Sequence, residues 1–130
     1  MKTKIAAIIL NEGKILAVRK KGTNMFILPG GKPIENETPE QTLKRELKEE
    51  IHVESGCFRL FDTFVEPAAF EPEKIRIHVY IANIEGEPRP GSEIVEIRWV
   101  GKYYEDEGIK LGSVLGEKVL PQLIEWRFVR

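Results

Sequence analysis

The sequence predicts an α/β fold in which a mixed sheet packs between helices. Three observations carry that expectation. Several short runs have the apolar patterning of strands, only two stretches have substantial helical periodicity, and no repeat, low-complexity tract or linker divides the 130 residues. A chain of this length is expected to form one domain, residues 1–130, that buries about two thirds of the surface its unfolded form exposes.

The elements follow in order. Lys4 to Leu10 and Lys14 to Arg19 flank Asn11-Glu12-Gly13 and predict a hairpin, with a short third strand at Phe26 to Leu28. Leu28-Pro29-Gly30-Gly31-Lys32-Pro33 packs two glycines and two prolines into six positions, the composition of a tight loop whose backbone N–H groups can approach an anion. A helix comes next, with Thr38 as N-cap, Pro39 at the first helical position and Gln41 closing a capping box. Leu43, Leu47 and Ile51 repeat every four residues and carry its apolar stripe to about Ile51. Phe58 to Glu66 and Lys74 to Asn83 read as strands, the second alternating Ile75, Ile77, Val79 and Ile81 toward one face, and Pro67-Ala68-Ala69-Phe70-Glu71-Pro72 separates them. Ile94 to Val100 is another strand. Leu115, Val119, Leu123 and Trp126 mark a C-terminal helix that starts late or bends at Pro121.

The helix after the glycine loop carries the chemistry. Side chains three and four positions apart on a helix are neighbours, roughly 5 to 6 Å between Cβ atoms, so Glu46, Glu49 and Glu50 are expected to converge and repel one another. Glu40 with Lys44 and Arg45 with Glu49 have the spacing of ordinary surface ion pairs, but the like-charged pair Glu46 and Glu50 does not fit a solvated face. Clustered carboxylates without thiols or paired histidines favour a hard divalent cation, Mg²⁺ or Mn²⁺, which shares its remaining positions with water and a substrate's phosphates.

The run Gly31-x5-Glu37-x7-Arg45-Glu46-Leu47-x-Glu49-Glu50-x-His52-Val53 resembles the signature of the Nudix hydrolases, G-x5-E-x7-R-E-U-x-E-E-x-G-U, in which U is aliphatic; only the second glycine departs, as His52. A chance match to the other positions in a chain of this length has a probability on the order of 10⁻⁶. The box covers about a fifth of the chain, while the flanking strands and the overall length look like a MutT-like Nudix domain, for which the resemblance implies an α/β/α sandwich. His52 falls where the helix ends with φ > 0, and is read as structural rather than as a metal ligand.

The resemblance implies hydrolysis of a diphosphate linkage by water, with Glu46, Glu49 and Glu50 holding Mg²⁺, Arg45 orienting these carboxylates and Glu37 holding the loop or a water. Members of the family take the general base from different places, including a glutamate on a later loop. In this chain Glu93 and Glu96 stand in and after Pro88-Arg89-Pro90-Gly91-Ser92; Glu93, judged by its spacing to Trp99, falls where MutT-like relatives carry an additional ligand glutamate and is favoured. Gly30, Gly31, Lys32, Lys20 and Arg19 are candidates for phosphate contacts, and Phe26 for packing on a base, with the hydrophobic core as its competing destination.

Subclass is less sharply marked. The asparagine with which MutT-like enzymes read oxidised purines is absent from Gly108 to Gly116; Pro67 lies slightly early for an ADP-ribose pyrophosphatase; no tyrosine of the dinucleoside polyphosphate hydrolases occurs between Val53 and Arg76. The reading favoured is a nucleoside triphosphate pyrophosphohydrolase, with ADP-ribose or another nucleoside diphosphate derivative as the alternative substrate. A Nudix-fold regulator that binds a nucleotide without cleaving it is the alternative from another class, disfavoured because the box carboxylates are intact.

Composition favours a small partner, and the resemblance implies a nucleoside phosphate. The net charge of −1, with lysines and glutamates interspersed, leaves no basic stripe for a nucleic-acid polymer or an anionic membrane. Lys2 and Lys4 precede a short apolar run that superficially resembles a signal peptide, but it meets Asn11-Glu12-Gly13-Lys14 with no cleavage site, and no segment reaches the roughly 18 apolar residues of a membrane span. A cytoplasmic location is expected. Cys57, the single cysteine, fits a reducing compartment and reads as a small buried apolar residue. The oligomeric state stays open, and a homodimer is compatible with the sequence.

Overall fold

The computed structural model describes residues 1–67 and 73–130. Its elements are β1 (Lys2–Ile8), β2 (Leu10–Asn11), β3 (Lys14–Lys20), β4 (Gly30–Gly31), α1 (Pro39–Ile51), β5 (Glu54–Pro67), β6 (Lys74–Glu85), β7 (Ile94–Val100), a 3₁₀ turn (Tyr104–Glu107), a π-helical segment (Val114–Val119) and α2 (Leu120–Glu125). The break expected at 67–72 lies, apart from Pro67, outside the described residues.

Two sheets form, ordered β4-β1-β6-β5 and β2-β3-β7. The first is mixed, because β1 runs parallel to β6 and antiparallel to β4. This corrects the expected hairpin. Only Leu10 and Asn11 pair with β3, while β1 belongs to the other sheet. The reason is long-range: seven residue pairs, Lys2↔Ile75 through Ile8↔Ile81, tie β1 to β6, and Ile9 is where the chain changes sheets. The tip holds Glu12 and Gly13 both at positive φ, which matches the right-handed twist of a two-residue connection. Phe26 to Leu28 also falls short of a strand, making single bridges from Ile27 to Val18 and from Phe26 to Leu111.

Helix α1 follows its sequence signals closely. Thr38 accepts from the Gln41 N–H, and the Gln41 side chain accepts from the Thr38 N–H. Thr38→Ala is expected to cost about 1 kcal/mol in urea unfolding, because it orphans one first-turn donor. At the other end His52 sits at φ 58°, the left-handed turn anticipated for it. Leu43, Leu47 and Ile51 are fully buried against Ile5, Ala7 and Ile9, together with Leu16 and Val18 of the second sheet. Each such side chain contributes about 2 kcal/mol of burial, so the roll of α1 about its axis is fixed.

The opposite face of β1, with Ala6 and Ile8, packs with Ile15, Ala17, Leu115, Val119, Leu120 and Leu123. The mixed sheet thus lies between α1 and the C-terminal helical segment, in the α/β/α arrangement. That segment is wound with π geometry before Pro121, where the Leu120 N–H reaches back five residues to the Leu115 carbonyl. Pro121 has no N–H to donate and sits in the first turn of α2, as a proline tolerates there. Two expectations change. Trp126 does not join the buried stripe but lies exposed, edge-on to Phe61 and Phe128. Cys57 is exposed, at φ 54° in an irregular stretch of β5, because the register shift between Gly56 and Arg59 removes it from the regular alternation. Among the described residues no helix is long and apolar enough to cross a membrane.

Candidate active site

Burying the apolar stripe of α1 turns Glu46 and Glu50 toward β4. The Gly30 N–H donates to Glu50 Oε1 at 2.9 Å, and the Glu50 side chain is buried. A Cβ on Gly31 would overlap the Glu46 carboxylate, so the two carboxylates lie over adjacent glycines. A Cβ on Gly30 would overlap the Ile5 carbonyl oxygen, and its φ of 145° is open only to glycine. The expected anion loop is therefore corrected: Gly30 and Gly31 form a short strand paired with Ala6 and Ile5, and the Gly30 donor is already given to Glu50.

Arg45 holds this arrangement. Its Nε donates to Glu37 Oε2 at 2.8 Å, Nη2 to Glu37 Oε1 at 2.9 Å and to the Lys32 carbonyl at 3.1 Å, and Nη1 to Glu46 Oε1 at 2.8 Å. Glu37 also accepts from the Ile34 N–H and the Thr42 hydroxyl. The Arg45 guanidinium, followed by the Ile34 N–H, holds the Glu37 carboxyl down near 2. Glu37 and Arg45 together clamp the glycine strand to the helix and aim Glu46.

Glu50 is under electrostatic tension. Burial, with Glu46 adding to it, pushes its pKa up to about 7, against the Gly30 N–H and the ammonium groups of Lys20 and Lys4. A carboxyl whose folded pKa exceeds its unfolded value binds its proton more tightly when folded. Stability of the metal-free protein is therefore expected to fall as pH rises from about 4.5 to about 7, and to level off above, by on the order of 2–3 kcal/mol. Melting curves from pH 5 to pH 8 check this, since the slope should flatten in Glu50→Gln.

The expected three-carboxylate cluster is reduced to two. Glu49 points outward with its side chain 52% exposed, 3.5 Å from Arg45 Nη1, because burial of the leucine stripe and of Glu50 leaves it on the solvent flank of α1. Among the described residues no three carboxylate, histidine or cysteine side chains stand together as a ready cation site. The donor chemistry of Glu46 and Glu50 nonetheless fits a hard divalent ion: oxygen only and mutually repelling, with Glu50 buried and Glu46 half-buried.

The other candidates separate. The segment before Glu93 docks on the end of α1, the Arg89 and Gly91 N–H groups donating to the Ile51 and Glu50 carbonyls at 3.0 and 2.9 Å, and the Lys21 N–H donates to the Glu93 carbonyl at 2.9 Å. The Glu93 side chain is exposed on that turn. Glu96 is bound by Arg19 at 3.0 Å and by Arg98 at 3.1 Å, Arg98 and Arg19 in that order drawing its pKa down, which removes it as a base. The same pair engages Arg19, whose Nη1 also donates to the Thr23 carbonyl, so Arg19, a candidate phosphate contact, has Nε and Nη1 already paired. Phe26 is 6% exposed within the core, which corrects its candidacy for a base contact. Lys20 is half-buried, close enough to Glu50 to act on its ionisation, and Lys32 is exposed beside the glycine strand.

Lys4 is the residue that sequence reasoning missed. It lines a cleft of about 240 Å³ with Ala6, Ile27, Leu28, Ile77 and Val114. Burial first, then Lys20, hold its ammonium below the ordinary lysine range, against Glu50 and Glu46. The available signal was a lysine in phase with Ala6 and Ile8 on the inward face of a strand. A larger groove of about 720 Å³ shares none of these residues; Glu54, Glu85 and Glu87 line it with no lysine or arginine, which disfavours a polyphosphate.

Residues 1–102 match the model of the NUDIX domain. The structure is similar to that of a MutT NUDIX hydrolase from Burkholderia pseudomallei, 27% identical with a TM-score of 0.69, covering 75% of this chain and 81% of that one. It is also similar to a nudix hydrolase family member from Chromobacterium violaceum, 25% identical with a TM-score of 0.74, covering 98% of this chain and 79% of that one. A UDP-X diphosphatase shares the fold at 20% identity and a TM-score of 0.78, covering 98% of this chain and 62% of that one. No curated protein sequence matches the chain.

Proposed function

Because the chain belongs to the NUDIX family, whose hydrolases cleave diphosphate linkages, we propose that it is a Mg²⁺-dependent pyrophosphohydrolase of nucleoside triphosphates that releases a nucleoside monophosphate and pyrophosphate. The observation that carries this reading is the pair of carboxylates, Glu46 and Glu50, laid over Gly31 and Gly30 beside an apolar cleft. Glu46 and Glu50 would hold a divalent ion, with Glu49 turning in from the solvent flank of α1 to join them; when bound, the ion would supply positive charge to phosphate oxygens and favour ionisation of the attacking water.

The protein's own groups do the positioning. The Gly30 N–H and Arg45 fix the two carboxylates, Glu37 fixes Arg45, and Lys20 and Lys32 attract the phosphate chain to this edge of the sheet. Glu93, exposed on a turn docked to the end of α1, is the group we assign to accept the water's proton. A single-domain enzyme in a reducing, cytoplasmic compartment agrees with the one unpaired cysteine.

The test is phosphate release, with a coupled phosphatase, across nucleoside triphosphates, ADP-ribose, nucleotide sugars and dinucleoside polyphosphates, in Mg²⁺ and in chelator. Metal-dependent turnover of triphosphates supports the proposal, and a preference for ADP-ribose or nucleotide sugars moves the substrate class. Nucleotide binding with no turnover of any compound would leave a non-catalytic regulator in its place.

A further inference from the structure

Lys4 has no hydrogen bond or ion pair among the described residues. Strand β1 alternates, so that Ile5, Ala7 and Ile9 pack under α1 while Lys4, Ala6 and Ile8 face the C-terminal segment. Parallel pairing sets Lys4 opposite Ile77 of β6, and Val114 and Leu115 close the cleft above them. The walls are therefore mostly aliphatic, with Lys4 the one cation and Ser113 the one hydroxyl among them. The cleft borders the carboxylates through β4, since Ala6, which lines it, pairs with Gly30, whose N–H holds Glu50.

A ligand with phosphates on the carboxylate side and a flat, weakly polar group in the cleft fits this layout. Lys20 and Lys32 serve the phosphate side, which leaves Lys4 to the group in the cleft. A lysine ammonium offers three donors and no acceptor. Set in an aliphatic wall, it binds a ligand oxygen and is left unsatisfied opposite a ligand amino group.

We propose that Lys4 is the base-selecting residue of this enzyme, donating to a ring carbonyl oxygen, so that nucleotides with an oxo group at purine position 6 or pyrimidine position 4 are preferred over those with an amino group there. The turnover arm of its test rests on the pyrophosphohydrolase reading; the binding arm does not. The partial desolvation of the ammonium works in the same direction, since a carbonyl oxygen supplies the acceptor that water no longer provides.

The experiment uses two matched pairs that differ at this ring edge, inosine against adenosine and uridine against cytidine. It measures kcat/KM for the triphosphates and calorimetric binding of the monophosphates, for wild type, Lys4→Met and Lys4→Arg. The wild type is expected to favour the oxo partner of each pair by at least about tenfold. Lys4→Met should reduce that ratio to within about threefold by losing only the oxo substrates, and Lys4→Arg, which keeps the donors, should retain most of it. Equal treatment of the two partners by the wild type overturns the proposal. So does an equal fall for all four substrates in Lys4→Met, the signature of a phosphate contact. If no triphosphate is cleaved, but the monophosphate preference is present and lost in Lys4→Met, the triphosphate reading falls and the role of Lys4 stands.

Discussion

Glu50→Gln is expected to lower turnover by about 10³-fold while raising the melting temperature of the metal-free protein at pH 8 by about 5 °C. Both effects come from one oxygen. The glutamine keeps an acceptor for the Gly30 N–H, and so preserves the contact that locates the side chain. It removes the buried charge, whose desolvation, with the repulsion from Glu46 added to it, pushes the carboxyl up to about 7. What is lost is the anionic oxygen proposed to bind the cation. Wild-type protein should gain stability from Mg²⁺, and the variant should gain little. Steady-state kinetics and melting curves with and without Mg²⁺ check this, and a variant that is inactive but less stable than the parent would show that Glu50 supports the fold instead of straining it.

Gly30→Ala is expected to destabilise by more than about 3 kcal/mol. Its Cβ meets backbone, the Ile5 carbonyl oxygen and the Ala6 Cα, at a φ of 145° that alanine avoids. Neither partner can move without breaking the β1–β4 pairing. Gly31→Ala makes the informative contrast. Its Cβ meets the end of the Glu46 side chain, which can swing aside, so the expected stability loss is only about 1–2 kcal/mol while activity falls by about 10²-fold. Urea unfolding and turnover of the two variants separate the roles, and a Gly30→Ala protein as stable as wild type would refute the geometric account of β4.

What was legible in the sequence was local. The Thr38–Gln41 box, the Leu43-Leu47-Ile51 stripe and the left-handed His52 follow from chemistry within a few residues, and each stands where it was expected. The pairing of β1 with β6 spans some seventy residues, so the hairpin reading of the N-terminal strands held only at its tip, Leu10 and Asn11 against β3, and the cleft beside Lys4 could not be foreseen. Glu96 shows the same limit. Only the register of β3 against β7 sets it opposite Arg19 and turns a candidate base into half of an ion pair. The three glutamates converge by helical spacing alone, but tertiary burial chooses two and leaves Glu49 outside.

The segment that leads to Glu93 is held by main-chain groups: the Arg89 and Gly91 amides cap the last carbonyls of α1, and Lys21 binds the Glu93 carbonyl. Such an attachment depends little on which side chains the segment carries, apart from Gly91, where a Cβ would overlap His52. Positions 89 and 93 therefore form a cassette at the end of α1 that mutation can rewrite without unfolding the protein, while Ser92, at φ 51°, is held to residues that tolerate the left-handed region. A lineage built on this scaffold can change the side chain presented at position 93 by a single codon, while the carboxylates of α1, locked by Gly30, Gly31 and Arg45, stay as they are.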